Sequence, residues 1–320
     1  MDAAAIKAYA DRHLEGVFHL MEETLSSDVA LLDATNRSVL DSGGKRIRPL
    51  LTLLSAGACG ERTPDTDRVA AAAEILHNAT LLHDDVVDGA ATRRGRPTVM
   101  SQLGGHASVL IGDYWLARAM NLILDTESHT QDYIRLLSRT LDDLARGEIL
   151  QLQKSECCDT AFEDYLTIIR CKTASLFEAC ARTGALSGNA SGEQVEALGR
   201  YASNLGIAFQ IKDDILDFVG GDIGKPAGQD LEERKVTMPL LSALATVPEN
   251  RCREIRARLA EGGHEQEILA FVRAQDGTAL AQEVLESYID KAVGCLAVLP
   301  ESEEKRHLVS LARYSSIRKQ

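Results

Sequence analysis

Two stretches of the sequence share one pattern: LLHDDVVD at residues 81–88 and QIKDDILD at residues 210–217. Each places Asp-Asp-x-x-Asp at the end of an apolar helical segment, where the first and last aspartates lie on one face. Like charges at that spacing repel, and the helix macrodipole disfavours anions at a C-terminal end. We therefore expect a cation to offset this charge. The candidate metal ligands are Asp84, Asp85, Asp88, Asp213, Asp214 and Asp217.

Carboxylate oxygens suit a hard divalent cation. Mg²⁺ typically takes one or two carboxylates together with the phosphates of a substrate. Two facing aspartate patches could thus hold a diphosphate through bridging metal ions. The alternative interpretation is a solvated acidic face without a metal. It explains a single patch well, but it explains two patches at the ends of apolar helices poorly.

On both sides of these patches, apolar residues recur with helical periodicity along almost the whole chain. The seven prolines lie mostly near the edges of the predicted helices. Aromatic residues make up 4% of the chain, which favours close-packed helices over sheets. The pattern predicts an all-α protein with helices that include 2–22, 99–124 and 161–187. We find no linker in the sequence, so one domain over residues 1–320 is predicted.

Composition excludes several classes of function. The 320-residue chain has a formal net charge of −13, whereas a nucleic-acid-binding protein needs a basic surface. Its seven cysteines form no Cys-x-x-Cys pair, which favours a reducing compartment, and we expect a cytoplasmic protein. The sequence contains no signal peptide and no apolar run of 18 residues. Transient contact with a membrane surface, for release of an apolar product, stays open.

Basic residues in this acidic chain gather in three places. They are GGKRIRP at 43–49, TRRGRP at 92–97 and the loop that carries Lys225, Arg234 and Lys235. Arginine offers a planar fork and lysine a point charge for phosphate oxygens. Ordinary surface charge would explain any one cluster, but not their positions beside the aspartate patches.

Five segments occur in an order and at spacings that resemble one family, the trans-isoprenyl (polyprenyl) diphosphate synthases of the long-chain type. They are GGKRIRP, HNATLLHDDVVDGAATRRGRPT, KTASLF, GIAFQIKDDILD and GKPAGQDLEERKVTMP. The resemblance covers about residues 40–240 tightly. It implies a bundle of long antiparallel helices around a deep central cavity, and a homodimer. The implied reaction is a Mg²⁺-dependent condensation of isopentenyl diphosphate with an allylic diphosphate such as dimethylallyl, geranyl or farnesyl diphosphate.

The resemblance also implies roles for individual residues. Both aspartate sets would ligate two or three Mg²⁺ ions on the allylic diphosphate. The isopentenyl diphosphate site would contain Lys45, Arg48, His77 and Arg94. The allylic diphosphate site would contain Arg93, Lys172, Thr173, Gln210 and Lys235. Lys225 would lie in a loop that closes over the site.

Product length should depend on the depth of the cavity below Asp84. An aromatic residue at Ala79 or Thr80 would block the tunnel, but both residues are small, and Leu76 lies one further turn down. Small residues persist for about 12 positions, or roughly 18 Å. We therefore expect a product of the C30–C50 class, with a C15 or C20 product as the alternative. The alanines could instead serve only helix packing.

Three other functions compete with this interpretation. A class I terpene cyclase also uses Asp-Asp-x-x-Asp but usually lacks the GGKRxRP segment. A non-catalytic subunit of a heteromeric synthase would typically have lost aspartates, and all six are intact here. A cation-binding helical protein without catalysis would not explain the ordered lysine, arginine and glutamine positions.

Overall fold

The computed structural model describes residues 3–220 and 228–317, and these residues are mostly α-helical. The helices are, in chain order, α1 Ala3–His13, α2 Glu15–Leu25, α3 Ala30–Leu40, α4 Ile47–Cys59, α5 Pro64–Val87, α6 Val99–Leu103, α7 Gly105–Leu124, α8 Thr130–Cys157, α9 Phe162–Ile169, α10 Ser175–Ser187, α11 Gly192–Val219, α12 Gln229–Glu232, α13 Met238–Leu244, α14 Glu249–Glu261, α15 Glu265–Ala274, α16 Gly277–Cys295 and α17 Glu303–Ile317. A π-helix, Arg170–Ala174, joins α9 to α10, and a 3₁₀-helix, Leu296–Val298, follows α16. The predicted all-α architecture is confirmed.

Three long helices predicted from periodicity are wrong in detail, because each is interrupted. Residues 2–22 fall into α1 and α2, which meet at Leu14. Residues 99–124 fall into α6 and α7, since Gly104 has a φ of 84°, which breaks the helical backbone and which glycine tolerates. Residues 161–187 contain the π-helix. Between α5 and α6, the short strands β1 Thr92–Arg93 and β2 Arg96–Pro97 form a hairpin that the sequence did not predict.

Helices α5 and α11 carry the two aspartate patches, and both have strong N-terminal signals. At the start of α5, Pro64 occupies the first turn and Thr63 forms a capping box with Thr66. At the start of α11, Ser191 forms the equivalent box with Gln194. Helix α5 packs along α7, and α11 packs along α16. These contacts hold both helices in the centre of the bundle.

The apolar core surrounds these two helices and includes the completely buried Trp115, Phe177 and Tyr201. Two of its aromatic residues have their polar atoms paired: Trp115 Nε1 donates to Asn36 Oδ1 at 2.8 Å, and the Tyr201 hydroxyl donates to the Leu308 carbonyl at 2.7 Å. Within the described ranges, none of the helices is long and apolar enough to span a membrane.

Candidate active site

A cavity of about 1050 Å³ opens among α4, α5, α8, the π-helix, α10 and α11. Both aspartate patches and all three basic segments of the sequence contribute to its wall. The charged residues that line it are Lys45, Arg46, Arg48, Glu74, Asp84, Arg93, Arg94, Glu148, Lys172, Asp213, Asp214, Asp230 and Lys235. Its apolar wall includes Leu116, Leu141, Leu144, Phe177 and Phe209. Charges of both signs over an apolar chamber suit a ligand with a phosphorylated head and an apolar tail.

The three aspartates of the first patch have different surroundings. Asp84 lines the cavity. Asp85 is buried, and its Oδ1 accepts from Arg93 Nε at 2.7 Å. Asp88 lies exposed at the C-terminal end of α5. Burial and then the charge of Glu148 raise the pKa of Asp84 to about 6. Although Asp88 as a residue is exposed, partial desolvation of its carboxylate raises its pKa.

In the second patch, Asp213 and Asp214 line the cavity. Asp214 is buried, and both of its carboxylate oxygens have protein partners: the Tyr165 hydroxyl donates to its Oδ2 at 2.5 Å, and Gln210 Nε2 donates to its Oδ1 at 2.9 Å. The chain of hydrogen bonds continues from Gln210 to Thr173, whose hydroxyl donates to Gln210 Oε1 at 2.7 Å. Burial raises the pKa of Asp214 to about 6.

Asp217, the last aspartate of the second patch, fastens the segment that follows the undescribed residues. Its carboxylate accepts from the backbone N–H groups of Gln229 and Asp230, both at 3.2 Å. Asp230 itself lines the cavity, and burial, followed by the charges of Asp214 and Asp217, raises its pKa well above the usual range. Asp230 was not predicted as a site residue, although its position in GQDLEERK, near Lys235, could have indicated it.

The cations predicted for isopentenyl diphosphate lie together on one side of the cavity. Arg94 donates to the Gly43 carbonyl, so the hairpin is tied to the GGKRIRP segment. Lys45 Nζ lies 5.7 Å from the Phe209 ring centre, and the Arg48 guanidinium lies 5.2 Å from that of Phe177. Arg94 has a φ of 53°, a left-handed conformation that is uncommon for non-glycine residues, and the neighbouring Arg46 shares it.

Arg48 shares this side of the cavity with His77 and with Glu74, which the sequence analysis did not select. Among the described residues, Arg48 Nε and Glu74 Oε2 are buried without a hydrogen-bond partner. Burial lowers the pKa of Arg48, raises that of Glu74 and, together with the Arg48 charge, lowers that of His77 well below 6.5. His77 is therefore neutral at pH 7. Buried polar atoms without partners on a cavity wall indicate a place for a polar ligand.

The predicted allylic-site lysines have carboxylate partners that sequence reasoning also missed. Lys172, in the π-helix, forms an ion pair with Glu148 of α8, and Lys235 forms one with Glu233. Glutamates are common on helix surfaces, and no local signal distinguishes Glu148 from its neighbours. Lys225 lies outside the described residues.

Of the three positions predicted to set chain length, Thr80 lines the cavity. Ala79 and Leu76 are completely buried and belong to the packed core, not to the wall formed by the described residues. The cavity-facing side of α5 is therefore rotated from the predicted one and contains Glu74, His77, Thr80 and Asp84. The sequence could not identify the apolar residues opposite, Leu116 on α7 and Leu141 on α8, which lie on the cavity wall.

The donor set of the cavity fits a hard divalent cation, because Asp84 from α5 and Asp213 from α11 bring carboxylate oxygens to one chamber. Within residues 3–220 and 228–317, no three acidic, histidine or cysteine side chains form a preassembled metal cluster. Asp85, Asp214 and Asp217 instead bind protein groups. The six-ligand assignment stays a prediction.

Comparison with known proteins identifies the family. A family model described as Polyprenyl synthetase matches residues 29–274, most of the chain. The chain belongs to the polyprenyl synthetase family. A curated all-trans-nonaprenyl-diphosphate synthase (geranyl-diphosphate specific) of Rhodobacter capsulatus is 39% identical over 298 residues, covering 92% of this chain and 91% of that protein. Octaprenyl diphosphate synthase of Escherichia coli (strain K12) is 34% identical, covering 98% of each.

Among solved structures, polyprenyl synthase from Caulobacter crescentus CB15, complexed with calcium and isoprenyl diphosphate, is 35% identical with a TM-score of 0.90. The similarity covers 99% of this chain and 98% of that one. The predicted family and the isoprenoid synthase-type helical fold are thus confirmed. This polyprenyl synthetase is a trans-prenyltransferase, and prenyl diphosphates are the substrates of its family.

Proposed function

We propose that this polyprenyl synthetase condenses isopentenyl diphosphate head-to-tail (1′-4) with an allylic diphosphate to make a long-chain, all-trans polyprenyl diphosphate. The observation that carries the proposal is one cavity that is lined by aspartates of both patches and by cations of all three basic segments, above an apolar chamber. A cyclase needs no second group of cations for isopentenyl diphosphate, and a silent subunit needs no intact aspartates.

The two diphosphates would bind on opposite sides of the cavity. Lys45, Arg48, His77 and Arg94 would bind isopentenyl diphosphate. The buried, unpartnered Arg48 Nε and the neutral His77 support this, since a diphosphate would supply acceptors to both. The allylic diphosphate would be bound by Arg93, Lys172, Thr173, Gln210, Lys235 and Lys225, the last of which lies outside the described residues.

Asp84, Asp85, Asp88, Asp213, Asp214 and Asp217 are proposed to hold two or three Mg²⁺ ions. Bound Mg²⁺ would neutralise the charge that develops on the departing diphosphate. Asp84 and Asp213 lie on the cavity wall and are the strongest candidates for direct ligands. Asp85 would act chiefly by orienting Arg93, and Asp214 by orienting Gln210 and Thr173.

Polar and apolar residues beside the allylic diphosphate would stabilise the allylic cation and protect it from water. The hydroxyl of Thr173 and the amide of Gln210 are fixed by their mutual hydrogen bond, so their oxygen atoms present fixed partial negative charge without acting as bases. Phe177 and Phe209 close the wall beside them with apolar surface. The aspartates hold metal and cations in this scheme, and none is needed as a general base.

A long product is supported by the small side chain at Thr80 on the cavity wall and by the nonaprenyl and octaprenyl products named for two relatives. Dimethylallyl, geranyl and farnesyl diphosphate are all candidate primers. We also propose a single domain over residues 1–320 and a cytoplasmic location, which cell fractionation would test.

A homodimer is proposed from the exposed apolar residues of α7. Leu110, Met120 and Leu124 are 58%, 40% and 59% exposed. Large exposed apolar side chains on one helix favour burial against a partner. The double variant Leu110→Glu/Leu124→Glu should sediment as a monomer, while Leu31→Glu, at a site 61% exposed on α3, should not change the mass.

The function is tested by giving the purified protein Mg²⁺, labelled isopentenyl diphosphate and each primer in turn, then sizing the dephosphorylated products. The proposal predicts a ladder that ends at one product between C30 and C50 and that disappears with EDTA. A product that ends at C15 or C20 would keep the reaction and contradict the long chain. No incorporation with any primer would contradict the function.

A further inference from the structure

Glu148 is a carboxylate on the cavity wall that the proposed binding of the two diphosphates does not use. It lies on α8, away from both aspartate patches in sequence, and its side chain is 22% exposed. Its Oε2 forms an ion pair with Nζ of Lys172, which is 26% exposed. The ammonium that should bind the allylic diphosphate is therefore already held by an anion.

The backbone around this pair is built for close approach. A methyl group at Gly147, the residue before Glu148, would lie 2.7 Å from Cys171 Cβ and 2.9 Å from Lys172 Cγ. Only glycine lets α8 approach the π-helix this closely. The π-helix, Arg170–Ala174, is itself a feature that recurs at functional sites. Both elements thus fix Glu148 against Lys172.

Glu148 also acts beside the first aspartate patch, because Glu148 and Asp84 line the same cavity. A free diphosphate that enters this region must compete with Glu148 for Lys172 and must approach Asp84 as well. A diphosphate complexed with a divalent cation carries less negative charge, so the same two carboxylates oppose it less.

We propose that Glu148 is a positioning residue that holds Lys172 at the cavity wall and thereby makes diphosphate binding depend on a bound divalent cation. The inference rests on the proposed function, because it assigns Lys172 to the allylic diphosphate. Its consequence is selectivity: the protein discriminates against metal-free diphosphate, which could fill the site without reacting.

The test is calorimetric titration of the full chain with inorganic diphosphate, in EDTA and in Mg²⁺. Glu148→Gln keeps the shape of the side chain and removes its charge. The variant should bind metal-free diphosphate roughly tenfold more tightly, while affinity in Mg²⁺ should change by less than about threefold. Glu148→Ala should show the same pattern. The control is Glu156→Gln, an equal charge change at an exposed site on α8, which should alter neither affinity.

The Lys172→Met variant shows whether Glu148 acts through Lys172. In Lys172→Met, adding Glu148→Gln should change the metal-free affinity by no more than about threefold, because the competition for Lys172 is gone and only direct repulsion between Glu148 and the diphosphate remains. An unchanged metal-free affinity in Glu148→Gln, a loss of affinity in Mg²⁺, or a full gain in the Lys172→Met background would each overturn the inference alone. A wild-type chain that binds no diphosphate even in Mg²⁺ would overturn the proposed function and the inference with it.

Discussion

Replacing Asp84 by asparagine should stabilise the metal-free protein while it abolishes prenyl transfer. Asp84 lines the cavity, where burial and the charge of Glu148 raise its pKa from 3.8 to about 6. A raised pKa means that ionisation of this carboxyl opposes folding. Asparagine has nearly the same shape and no charge, so it removes that cost together with the metal ligand.

The pKa rise sets the size of the effect. From 3.8 to about 6, the ionised form of Asp84 would lose about 3 kcal/mol of folding free energy at 1.36 kcal/mol per pH unit. Because Asp84 retains some solvent contact, about half of this is expected, roughly 1–2 kcal/mol. For a chain of this length that corresponds to a rise in Tm of roughly 1.5–3 °C.

The gain in the free energy of unfolding from Asp84→Asn should depend on pH. Above about pH 6, Asp84 is ionised in the folded and unfolded chain, so asparagine gives its full gain in the free energy of unfolding. As the pH falls from 6 toward 3.8, the folded chain takes up the proton first, and the gain shrinks. Below 3.8 both states are protonated and the gain disappears.

The assay is thermal unfolding in EDTA at pH 7.5 and at pH 4.5, for the wild type, Asp84→Asn and the control Asp28→Asn. Asp28 is exposed outside the cavity, so its variant should unfold like the wild type at both pH values. Adding Mg²⁺ with inorganic diphosphate should reverse the order, because the wild type alone keeps the full site. An Asp84→Asn protein that is less stable than the wild type in EDTA at pH 7.5 would refute the reasoning.

Three further predictions concern the cavity wall and its hydrogen bonds. Thr80→Phe should shorten the product to C15–C20 in the incorporation assay, and an unchanged product would contradict the cavity assignment. Ala79→Phe should chiefly cost about 1–3 kcal/mol of stability, since Ala79 is completely buried off the cavity wall. Leu116→Ala should lengthen the product by one or more isoprene units, at about 2 kcal/mol of stability in urea unfolding, and a shorter product would contradict it. Tyr165→Phe removes a hydrogen bond that favours the ionised form of Asp214, so the pKa of Asp214 should rise further above about 6. The acidic limb of the kcat/KM profile should then move up by about one pH unit, and an unmoved limb would contradict this role.

The fold was largely predictable because local signals and periodicity agree. Helices α5 and α11 begin at capping boxes, and periodicity predicts them over residues 66–83 and 192–217, within about four residues of their observed bounds. The breaks were less predictable. Gly104 and Gly105 form a Gly-Gly pair, which favours a turn, but the apolar periodicity continues across them, so the break at Gly104 was not predicted. The π-helix arises from residues with ordinary helical propensity, so its extra residue depends on tertiary contacts.

The residues of the candidate site also differ in how well the sequence predicts them. Aspartates and arginines in dense, unusual clusters were visible in sequence, and the structure brings Asp84, Arg93 and Asp213 to one cavity. Site residues that lie outside such clusters could not be predicted from the sequence. Tyr165 and Glu148 look like any tyrosine and glutamate on an amphipathic helix until α9 and α8 place them against Asp214 and Lys172.

The carboxylates that best mark this site are those that weaken the fold. Burial raises the pKa of Asp84, Asp214 and Asp230, and each therefore opposes folding at neutral pH in the metal-free chain. The large apolar core can tolerate this, since stability needs only to stay above a threshold. A cation that binds the cavity relieves the same repulsion, so a single arrangement of charges both destabilises the empty site and favours the metal and diphosphate that complete it.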